Sequence, residues 1–386
     1  MSGLTRTLVV GGGIAGLTAA IALARHGIGV DLVEVKPQNA VLGVGIIQPN
    51  NALRVLDSLD LLEPCLAAGF PTDGWVYFDG TGAVLTEFQS LKLAGPDRPS
   101  ANALPRPALH AILTDAAERL GVAIRLGTTM ADWTEDAGGL VAAFSDGTTG
   151  RYDLVVGADG IRSPLRRRLF GPGHRPRFVG HGCWRVTLPR PAALRQCALF
   201  FGVGVKAGMI PLTEDSMYLL LISNEATDDR IDDPAERLAR LRALVGGFGG
   251  LVAEVAPAIA DGEAIVYTPV EEVILPPPWH RGRIVLIGDA AHASTPYLSQ
   301  GATMAMEDAA VLAQLAATSD GDVEAMLRTF TDRRFERCRY VQDASRAVGE
   351  AGQITDPEAC RARDARFRAL PPDAPRPHEE WLAQSI

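Results

Sequence analysis

The sequence predicts an α/β fold: a Rossmann-like unit of parallel strands, an antiparallel β-sheet inserted into it, and a helical C-terminus. Three observations predict this arrangement. An apolar strand runs into a glycine-rich turn and a helix at residues 8–24, two later strands end in glycine turns at Gly157 and Gly288, and alternating apolar runs separated by turn residues fill much of the stretch between those turns. Strands followed by helices are typical of parallel sheets, whereas short alternating strands indicate an antiparallel sheet.

The first element is the strand Leu8-Val9-Val10, which enters the run GGGIAG at positions 11–16. In such a run the first glycine permits the tight turn, the second lets backbone amides approach a pyrophosphate, and the third lets the helix pack against the sheet. The amides and the positive end of the helix then face the phosphates. The predicted cofactor-binding residues of this segment are Gly11, Gly13, Ile14, Ala15 and Gly16.

The second strand is predicted over Val30–Val35, after Gly27 has ended the helix. Glu34 lies near its end, roughly 20 residues after the glycines, where an acidic residue holds an adenosine ribose through its hydroxyls. Glu34 and the adjoining Val35 are therefore predicted cofactor-binding residues. A secretory signal peptide is the competing interpretation of this segment, because Arg6 precedes an apolar run, but the glycine triplet would break the apolar core of a signal.

Composition favours an enzyme of about two domains without nucleic-acid or membrane partners. The 386 residues are 47% hydrophobic and carry a net charge of −9, which disfavours anionic nucleic acids and anionic membranes. No uncharged apolar run reaches the roughly 18 residues of a membrane span. The five cysteines are scattered without ligand spacing, so we expect no metal site and a reducing, cytoplasmic location.

Two later segments add glycine turns at strand ends. The strand at 153–157 leads into Asp159-Gly160 and a short basic helix through Arg168. The strand at 283–287 leads into Gly288-Asp289, and the chain continues through Pro296 and Gln300-Gly301 into a helix predicted over 302–315.

Together the three segments resemble the group A flavoprotein monooxygenases, the para-hydroxybenzoate hydroxylase-like family, from Val9 to about Leu315. The pattern is nearest to salicylate, hydroxynicotinate and urate hydroxylase-like members. The resemblance implies FAD as cofactor, NADH or NADPH as a transient co-substrate, and roles for five residues. Asp159 and Gly160 would serve both FAD and the nicotinamide cofactor, Asp289 would hold a ribityl hydroxyl, Arg106 would lie near the FAD phosphates, and Gly45 would lie in the loop beside the isoalloxazine.

The helix that begins at Gly301 has an electrostatic reason to lie beside a flavin. Its first amides, with Gln300 and Ala302 at its start, would stabilise the negative charge of the reduced ring. Pro296 would form an apolar wall without an N–H and help to exclude water. The run Gly202–Gly208 is not a second nucleotide loop, because its last glycine is one position late and Ile210-Pro211 interrupts any helix.

The substrate side is predicted to be the antiparallel sheet, interrupted by one helix at about Pro234–Phe248. Tyr218 lies on a strand that resembles the tyrosine-bearing strand of urate and hydroxynicotinate hydroxylase-like members, and Lys206 falls where the urate enzyme carries an arginine. Tyr218, Pro296 and Lys206 are therefore the catalytic candidates, although a structural strand position for Tyr218, a solvated loop charge for Lys206 and a loop-shaping role for Pro296 stay open. Gln48, His181, Tyr218 and Tyr297 are the predicted substrate contacts.

The predicted domains are discontinuous. Residues 1–72, 100–175 and 280–320 would form the FAD-binding domain, residues 73–99 and 176–279 the substrate or lid sheet, and residues 321–386 a C-terminal helical segment with a polar tail that caps the surface. The resemblance implies that a monomer or homodimer uses NAD(P)H and O₂ to hydroxylate a small electron-rich aromatic or heteroaromatic ring through a flavin C4a-hydroperoxide. The alternatives are an FAD-dependent oxidase, dehydrogenase or epoxidase, or a non-catalytic protein on an FAD-like fold.

Overall fold

The computed structural model describes residues 3–38, 43–371 and 376–386. The predicted tail at Pro371–Pro377 falls partly on residues 372–375, which lie outside the described residues. The strands are β1 (Arg6–Val10), β2 (Gly29–Glu34), β3 (Gly45–Gln48), β4 (Phe70–Thr72), β5 (Gly74–Asp79), β6 (Val84–Gln89), β7 (Ala101–Pro105), β8 (Ala123–Leu126), β9 (Met130–Asp136), β10 (Gly139–Phe144), β11 (Thr149–Tyr152), β12 (Leu154–Gly157), β13 (Arg177–Pro189), β14 (Cys197–Phe201), β15 (Val205–Pro211), β16 (Ser216–Asn224), β17 (Val266–Glu272), β18 (His280–Arg281) and β19 (Ile284–Leu286).

The helices are α1 (Ile14–Arg25), α2 (Asn50–Ser58), α3 (Leu62–Ala67), α4 (Arg106–Arg119), α5 (Pro164–Phe170), α6 (Pro234–Val245), α7 (Gly250–Val255), α8 (Asp289–His292), α9 (Gly301–Thr318), α10 (Val323–Gly352), α11 (Pro357–Arg368) and α12 (Pro377–Ala383). Among the described residues, no helix is both long enough and apolar enough to cross a membrane.

A six-stranded sheet in the order β18-β19-β12-β1-β2-β8 forms the Rossmann-like unit. Every neighbouring pair in it is parallel except β18 and β19. Its strands β1, β12 and β19 are buried on both faces, as in parallel sheets that helices cover. The sheet confirms the predicted α/β fold.

A seven-stranded sheet in the order β17-β13-β16-β15-β14-β5-β6 is inserted between β12 and β18 and between β4 and β7. All its pairs are antiparallel except β14 with β5. One face packs Trp184, Phe200 and Leu219 against α6 and α7, and the alternate positions face the Rossmann-like unit. The helix expected at about Pro234–Phe248 is present as α6, which ends at Val245 before Gly246 and Gly247, and a second short helix, α7, follows it.

A buried ionic cluster joins α9 to α10. The carboxylate of Glu307 accepts hydrogen bonds from Arg334 Nη1 at 2.9 Å and from Arg337 Nε at 2.6 Å, and Asp308 Oδ1 accepts one from Arg334 Nε at 2.8 Å. Arg337 Nη2 also donates to the carbonyl of Leu382 at 2.7 Å, which fixes α12 against α10. The cluster therefore ties three C-terminal helices to one another.

Candidate active site

A cleft lies between the Rossmann-like unit and the inserted sheet, with a volume of about 1280 Å³ that includes the solvent space at its open mouth. It brings together residues that are far apart in the chain. The predicted site residues that line it are Gly13, Ile14, Ala15, Gly45, Arg106, Gly160, Tyr218, Asp289, Pro296, Gly301 and Ala302.

The three glycines of the first turn meet different steric demands. Gly11 has φ +113°, and an added Cβ would lie 2.3 Å from the carbonyl oxygen of Ala158. At Gly16 an added Cβ would lie 1.9 Å from the carbonyl oxygen of Gly11, so a side chain there cannot be accommodated. At Gly13 an added Cβ would meet nothing within 4 Å, because this position faces the cleft. The loop therefore needs Gly11 and Gly16 for its own folding and leaves Gly13 open toward a ligand.

Glu34 lies at the end of β2, beside this loop. Its carboxylate accepts hydrogen bonds from the backbone N–H of Gly12 at 2.7 Å and of Lys36 at 3.0 Å. Each carboxylate oxygen keeps a second lone pair for a hydroxyl. The neighbouring Val35 is 64% exposed and is not among the residues that line the cleft.

Two charged residues line the cleft. Asp289 begins α8, and desolvation raises the pKa of its carboxyl although His292, Arg106 and Arg166 act in the opposite direction. Burial lowers the pKa of Arg106 at the start of α4, and Asp289 opposes this shift. The Nε of Arg106 is buried without a partner. This pair combines an acceptor suited to a hydroxyl with a cation suited to a phosphate.

Asp159 mainly holds its own loop. Its Oδ2 accepts a hydrogen bond from the backbone N–H of Leu165 at 3.0 Å, and burial raises the pKa of its carboxyl. The next residue, Gly160, has φ +79° and lines the cleft with no atom within 4 Å of an added Cβ. Asp159 thus orients the turn, and Gly160 leaves room for a ligand.

The start of α9 also faces the cleft. Gly301 and Ala302 line it, as does Pro296 in the preceding loop. Gln300 is buried, and its side-chain amide exchanges two hydrogen bonds of 3.1 Å with the amide of Asn51 on α2. Asn51 in turn donates to Glu307 at 3.0 Å, so the loop is linked to the buried ionic cluster. The link fixes the positive end of the α9 dipole toward the cleft.

The inserted sheet contributes Tyr218 from β16 and Arg185 from β13. Tyr218 is buried beside Gly45, where an added Cβ would lie 2.5 Å from Tyr218 Cδ1. Burial raises the pKa of the Tyr218 phenol, so it stays protonated at neutral pH. Sequence reasoning missed Arg185, whose Nε is buried without a partner. The signal was the alternation of Cys183, Arg185 and Thr187 with apolar residues along one strand.

The remaining predicted substrate residues do not line the cleft. Lys206, on β15, has its Nζ 5.0 Å from the centre of the Tyr297 ring. The hydroxyl of Tyr297 is hydrogen-bonded to Nδ1 of His181. Gln48 is buried, and its Oε1 accepts a hydrogen bond from Nδ2 of Asn102 at 2.9 Å. Lys206, a catalytic candidate, is buried rather than a solvated loop charge and does not line the cleft with Tyr218, whereas Arg185 of the inserted sheet does.

The cleft fits FAD in three respects. Gly13 and Gly160 leave open space along it, the starts of α1 and α9 both point their amides into it, and Arg106 has an unsatisfied donor at its edge. Helix N-termini of this kind bind anionic groups such as a pyrophosphate. Fold and site together define a flavoprotein of the Rossmann-like class.

Comparison with known proteins identifies the family. The family described as FAD binding domain matches residues 4–345, and the chain belongs to it. The 2-heptyl-3-hydroxy-4(1H)-quinolone synthase of Pseudomonas aeruginosa (strain UCBPP-PA14) is 34% identical over 368 residues, with 94% of each chain covered. The 3-amino-4-hydroxybenzoate 2-monooxygenase PtmB3 of Streptomyces platensis is 33% identical over 377 residues, with 95% of this chain and 92% of the relative covered.

A solved structure agrees with these relatives. The crystal structure of Klebsiella pneumoniae HpxO complexed with FAD and uric acid matches with a TM-score of 0.85 and 25% identity, over 95% of this chain and 93% of that chain. The protein is an FAD-dependent monooxygenase, and NAD(P)H is the reductant typical of its family. This result confirms the predicted family and cofactor.

Proposed function

We propose that the protein hydroxylates a small, electron-rich aromatic or heteroaromatic ring bound between β16 and the loop at Pro296. The observation that carries the proposal is the shared cleft, in which Tyr218 and Arg185 of the inserted sheet face the same space as Asp289 and Gly301 of the cofactor side. The aromatic substrates in the names of the quinolone and aminohydroxybenzoate enzymes support the same class of substrate.

The reaction consumes one NAD(P)H, one proton and one O₂ for each ring. One oxygen atom replaces a ring hydrogen as a hydroxyl group, the other leaves as water, and NAD(P)⁺ is released. The flavin, when bound, supplies the activated oxygen, and the protein supplies binding, orientation and electrostatics.

The side chains of the cleft suit an electron-rich ring. The Arg185 guanidinium is a permanent cation that stabilises a ring with phenolate character, since arginine keeps its proton in proteins. The Tyr218 phenol stays neutral and therefore donates a hydrogen bond to an oxygen of the ring rather than removing its proton. Pro296 offers no N–H to water and narrows the cleft beside the start of α9.

We propose that the cofactor is held by the residues predicted from the sequence. Gly11 to Gly16 and Arg106 would bind its phosphates, Glu34 its adenosine ribose and Asp289 a ribityl hydroxyl. The α9 start, at Gly301, would stabilise negative charge on the reduced ring.

Lys206, His181 and Gln48 are positioning residues in this proposal. Lys206 and His181 both contact Tyr297, which lines a second cavity beside the cleft. Gln48 holds Asn102 behind β3. These residues would act on the site through their neighbours rather than through contact with the ring.

The compartment and the oligomeric state belong to the same proposal. All five cysteines are free and buried, which suits a reducing compartment such as the cytoplasm. We propose a monomer or homodimer, and size-exclusion chromatography with light scattering measures which one forms.

The first experiment is a substrate screen with the FAD-loaded protein. Substituted phenols, hydroxypyridines and 4-quinolones are tested for stimulated NAD(P)H oxidation, and products are analysed for a mass increase of one oxygen atom. Hydroxylated product from at least one ring is expected. Stimulated oxidation that yields only hydrogen peroxide with every ring would instead support the oxidase alternative.

The second experiment is Tyr218→Phe, which keeps the ring and removes one hydroxyl. Loss of one hydrogen bond, about 0.5–1.5 kcal/mol, raises the substrate KM by about twofold to tenfold. The ratio of product to NAD(P)H oxidised also falls, because a less firmly held ring reacts less often. Tyr340→Phe is the matched control, since Tyr340 stacks on Trp381 outside the cleft lining. Equal ratios in Tyr218→Phe and the wild type would assign Tyr218 a structural role.

A further inference from the structure

A second cavity, with about 80 Å³ accessible to the centre of a water molecule, opens beside the cleft. Ile47 on β3 and Ser299 in the loop before α9 line both spaces, so the two cavities meet there. Ser299 has φ +56°, a left-handed conformation in which the chain turns between the two cavities. We call the second space the side cavity; it adjoins the cleft at these two residues.

The walls of the side cavity are mostly apolar. Trp75 and Tyr77 come from β5, Phe88 comes from the edge strand β6, and Leu199 comes from β14, which pairs with β5. The Tyr77 and Phe88 rings meet edge to face with their centres 5.2 Å apart. Burial raises the pKa of Tyr77 to about 12, so its phenol is neutral. Val348 of α10 completes this part of the wall.

The far end of the side cavity is closed by α12. His378 and Glu379 line it, and Arg376, just before the helix, places its guanidinium 3.7 Å from the centre of the Phe88 ring. Burial, together with Arg376, lowers the pKa of His378 to about 4, so the imidazole is neutral at pH 7. The helix is held by Arg337 and by stacking of Trp381 on Tyr340 at 4.3 Å. The end wall is therefore fixed.

The polar groups of the side cavity suit an uncharged occupant. Burial raises the pKa of the Glu379 carboxyl, which favours its neutral form. Asn50 is 3% exposed and has an Nδ2 donor without a partner, and Ser90 Oγ and Glu379 Oε2 on the same lining also lack one. A few polar groups among apolar walls are typical of a pocket that orients a largely apolar ligand.

We infer that the side cavity binds an uncharged, apolar substituent of the substrate, such as an alkyl chain of several carbons, while the ring lies in the cleft. This inference rests on the proposed function, since it takes the ring as bound near Tyr218. It assigns selection of the substituent to β5, β6 and α12, and selection of the ring to Tyr218 and Arg185. The predicted tail is then more than a surface cap, because α12 forms part of a binding wall.

The test is a series of 4-alkylphenols from methyl to octyl, with FAD-loaded protein. Dissociation constants come from the change in flavin absorbance on binding, and KM values from product formation. Each added methylene is expected to lower the dissociation constant by about threefold to fourfold until the cavity is filled.

Two variants narrow the side cavity from different walls: His378→Trp from α12 and Leu199→Phe from the sheet. Each is expected to reduce the ratio of the methyl to the octyl dissociation constants at least tenfold. His26→Trp, at an exposed position after α1, is the control and keeps the wild-type ratio. Because each ratio is measured within one variant, an effect that weakens both compounds equally cancels. The second variant keeps the test possible if the first one fails to fold.

The outcomes separate the two proposals. If phenols are hydroxylated but the dissociation constant does not depend on chain length, the side-cavity inference is wrong and the proposed function stands. If both narrowed variants weaken methyl and octyl compounds equally, the side cavity holds the ring itself, and if they lower FAD affinity it belongs to the cofactor; either result overturns the inference. If no ring is hydroxylated in either screen, the proposed function fails and the inference fails with it.

Discussion

Replacement of Lys206 by methionine is expected to make the folded protein more stable. Lys206 is 2% exposed, and its burial lowers the pKa of its ammonium from 10.5 to about 8. Methionine keeps an unbranched, apolar stem of similar length and removes the charge. The protein therefore no longer has to desolvate an ammonium group when it folds.

The magnitude follows from two opposing contributions. At roughly 1.4 kcal/mol for each pKa unit, the shift corresponds to a cost of about 3 kcal/mol. The Nζ lies 5.0 Å from the centre of the Tyr297 ring, and a desolvated cation–π contact contributes about 1–2 kcal/mol in the opposite direction. Lys206→Met should thus raise the free energy of unfolding at pH 7 by about 1–2 kcal/mol.

The stability difference between Lys206→Met and the wild type depends on pH. Below about pH 8 the lysine is charged in both the folded and the unfolded protein, so the full difference between variant and wild type is present. Between about pH 8 and 10.5 the folded lysine has lost its proton while the unfolded one still carries it. The wild type therefore gains up to about 1.4 kcal/mol of stability for each pH unit relative to the variant, and the advantage of the variant is lost within this interval.

Urea unfolding at pH 7, 8, 9 and 10, followed by circular dichroism, measures the effect. Lys36→Met, at an exposed position, is the matched control and changes little at any of these values. A variant that is less stable than the wild type at pH 7, or a gain that is the same at pH 7 and pH 10, would refute the reasoning. Substrate KM and product yield in the same variant test whether Lys206 positions Tyr297.

Three further outcomes are expected. Gly13→Val should fold normally, because an added Cβ meets nothing within 4 Å, yet lose FAD affinity at least tenfold in a flavin titration, whereas Gly16→Ala should fail to fold stably; full FAD occupancy in Gly13→Val would exclude this placement of the phosphates. Asp289→Ala should weaken FAD binding by about twofold to tenfold, the value of one hydrogen bond, and an unchanged affinity would remove the assignment. Asp308→Asn should lower the free energy of unfolding by about 3–5 kcal/mol at pH 7, because it leaves buried partners unpaired. Although burial opposes this shift, His292 and Arg334 lower the pKa of Asp308 to about 2. The stability advantage of the wild type is therefore present above pH 3.8 and is lost as the pH falls toward 2, and unfolding experiments at pH 7 and pH 3 measure this change.

The cofactor side of the site could be predicted because its information is local. Gly11, Gly13 and Gly16 lie within six residues, and the strand, turn and helix that they join follow one another along the chain. Each glycine has a steric reason that can be stated before any contact is known. The relative positions of Gly301 and Gly13 could be expected only through the resemblance, since they are distant in sequence.

The substrate side could be predicted less well because strand register decides it. In a strand, successive side chains point to opposite faces, so Arg185 reaches the cleft only because Trp184 faces the core. Lys206 and Tyr218 lie on adjacent strands, but register places Lys206 opposite Ile222 and Tyr218 opposite Ile210. The sequence could nominate both residues but could not tell that they face different neighbours.

The contribution of α12 could not be predicted from local pattern. His378 and Glu379 reach the side cavity through the packing of α12 on α10, and that packing depends on Arg337. Arg337 lies about forty residues before His378, and nothing in the local sequence around Arg337 indicates that it contacts α12. Long-range packing of this kind requires the structure.

The buried ionic cluster also has a consequence for how this protein can change over generations. Both oxygens of Glu307 are engaged by Asn51, Arg334 and Arg337, so replacement of Glu307 by a neutral residue removes the shared acceptor of two buried guanidinium groups. Acceptable change would need several simultaneous mutations, and we expect lineages to keep these residues fixed. Side chains such as Leu199 or Val348 have no ionic partners, so they can be substituted one at a time. A rigid cofactor half beside a freely varying wall is a ready route to new substrates from a single ancestral scaffold.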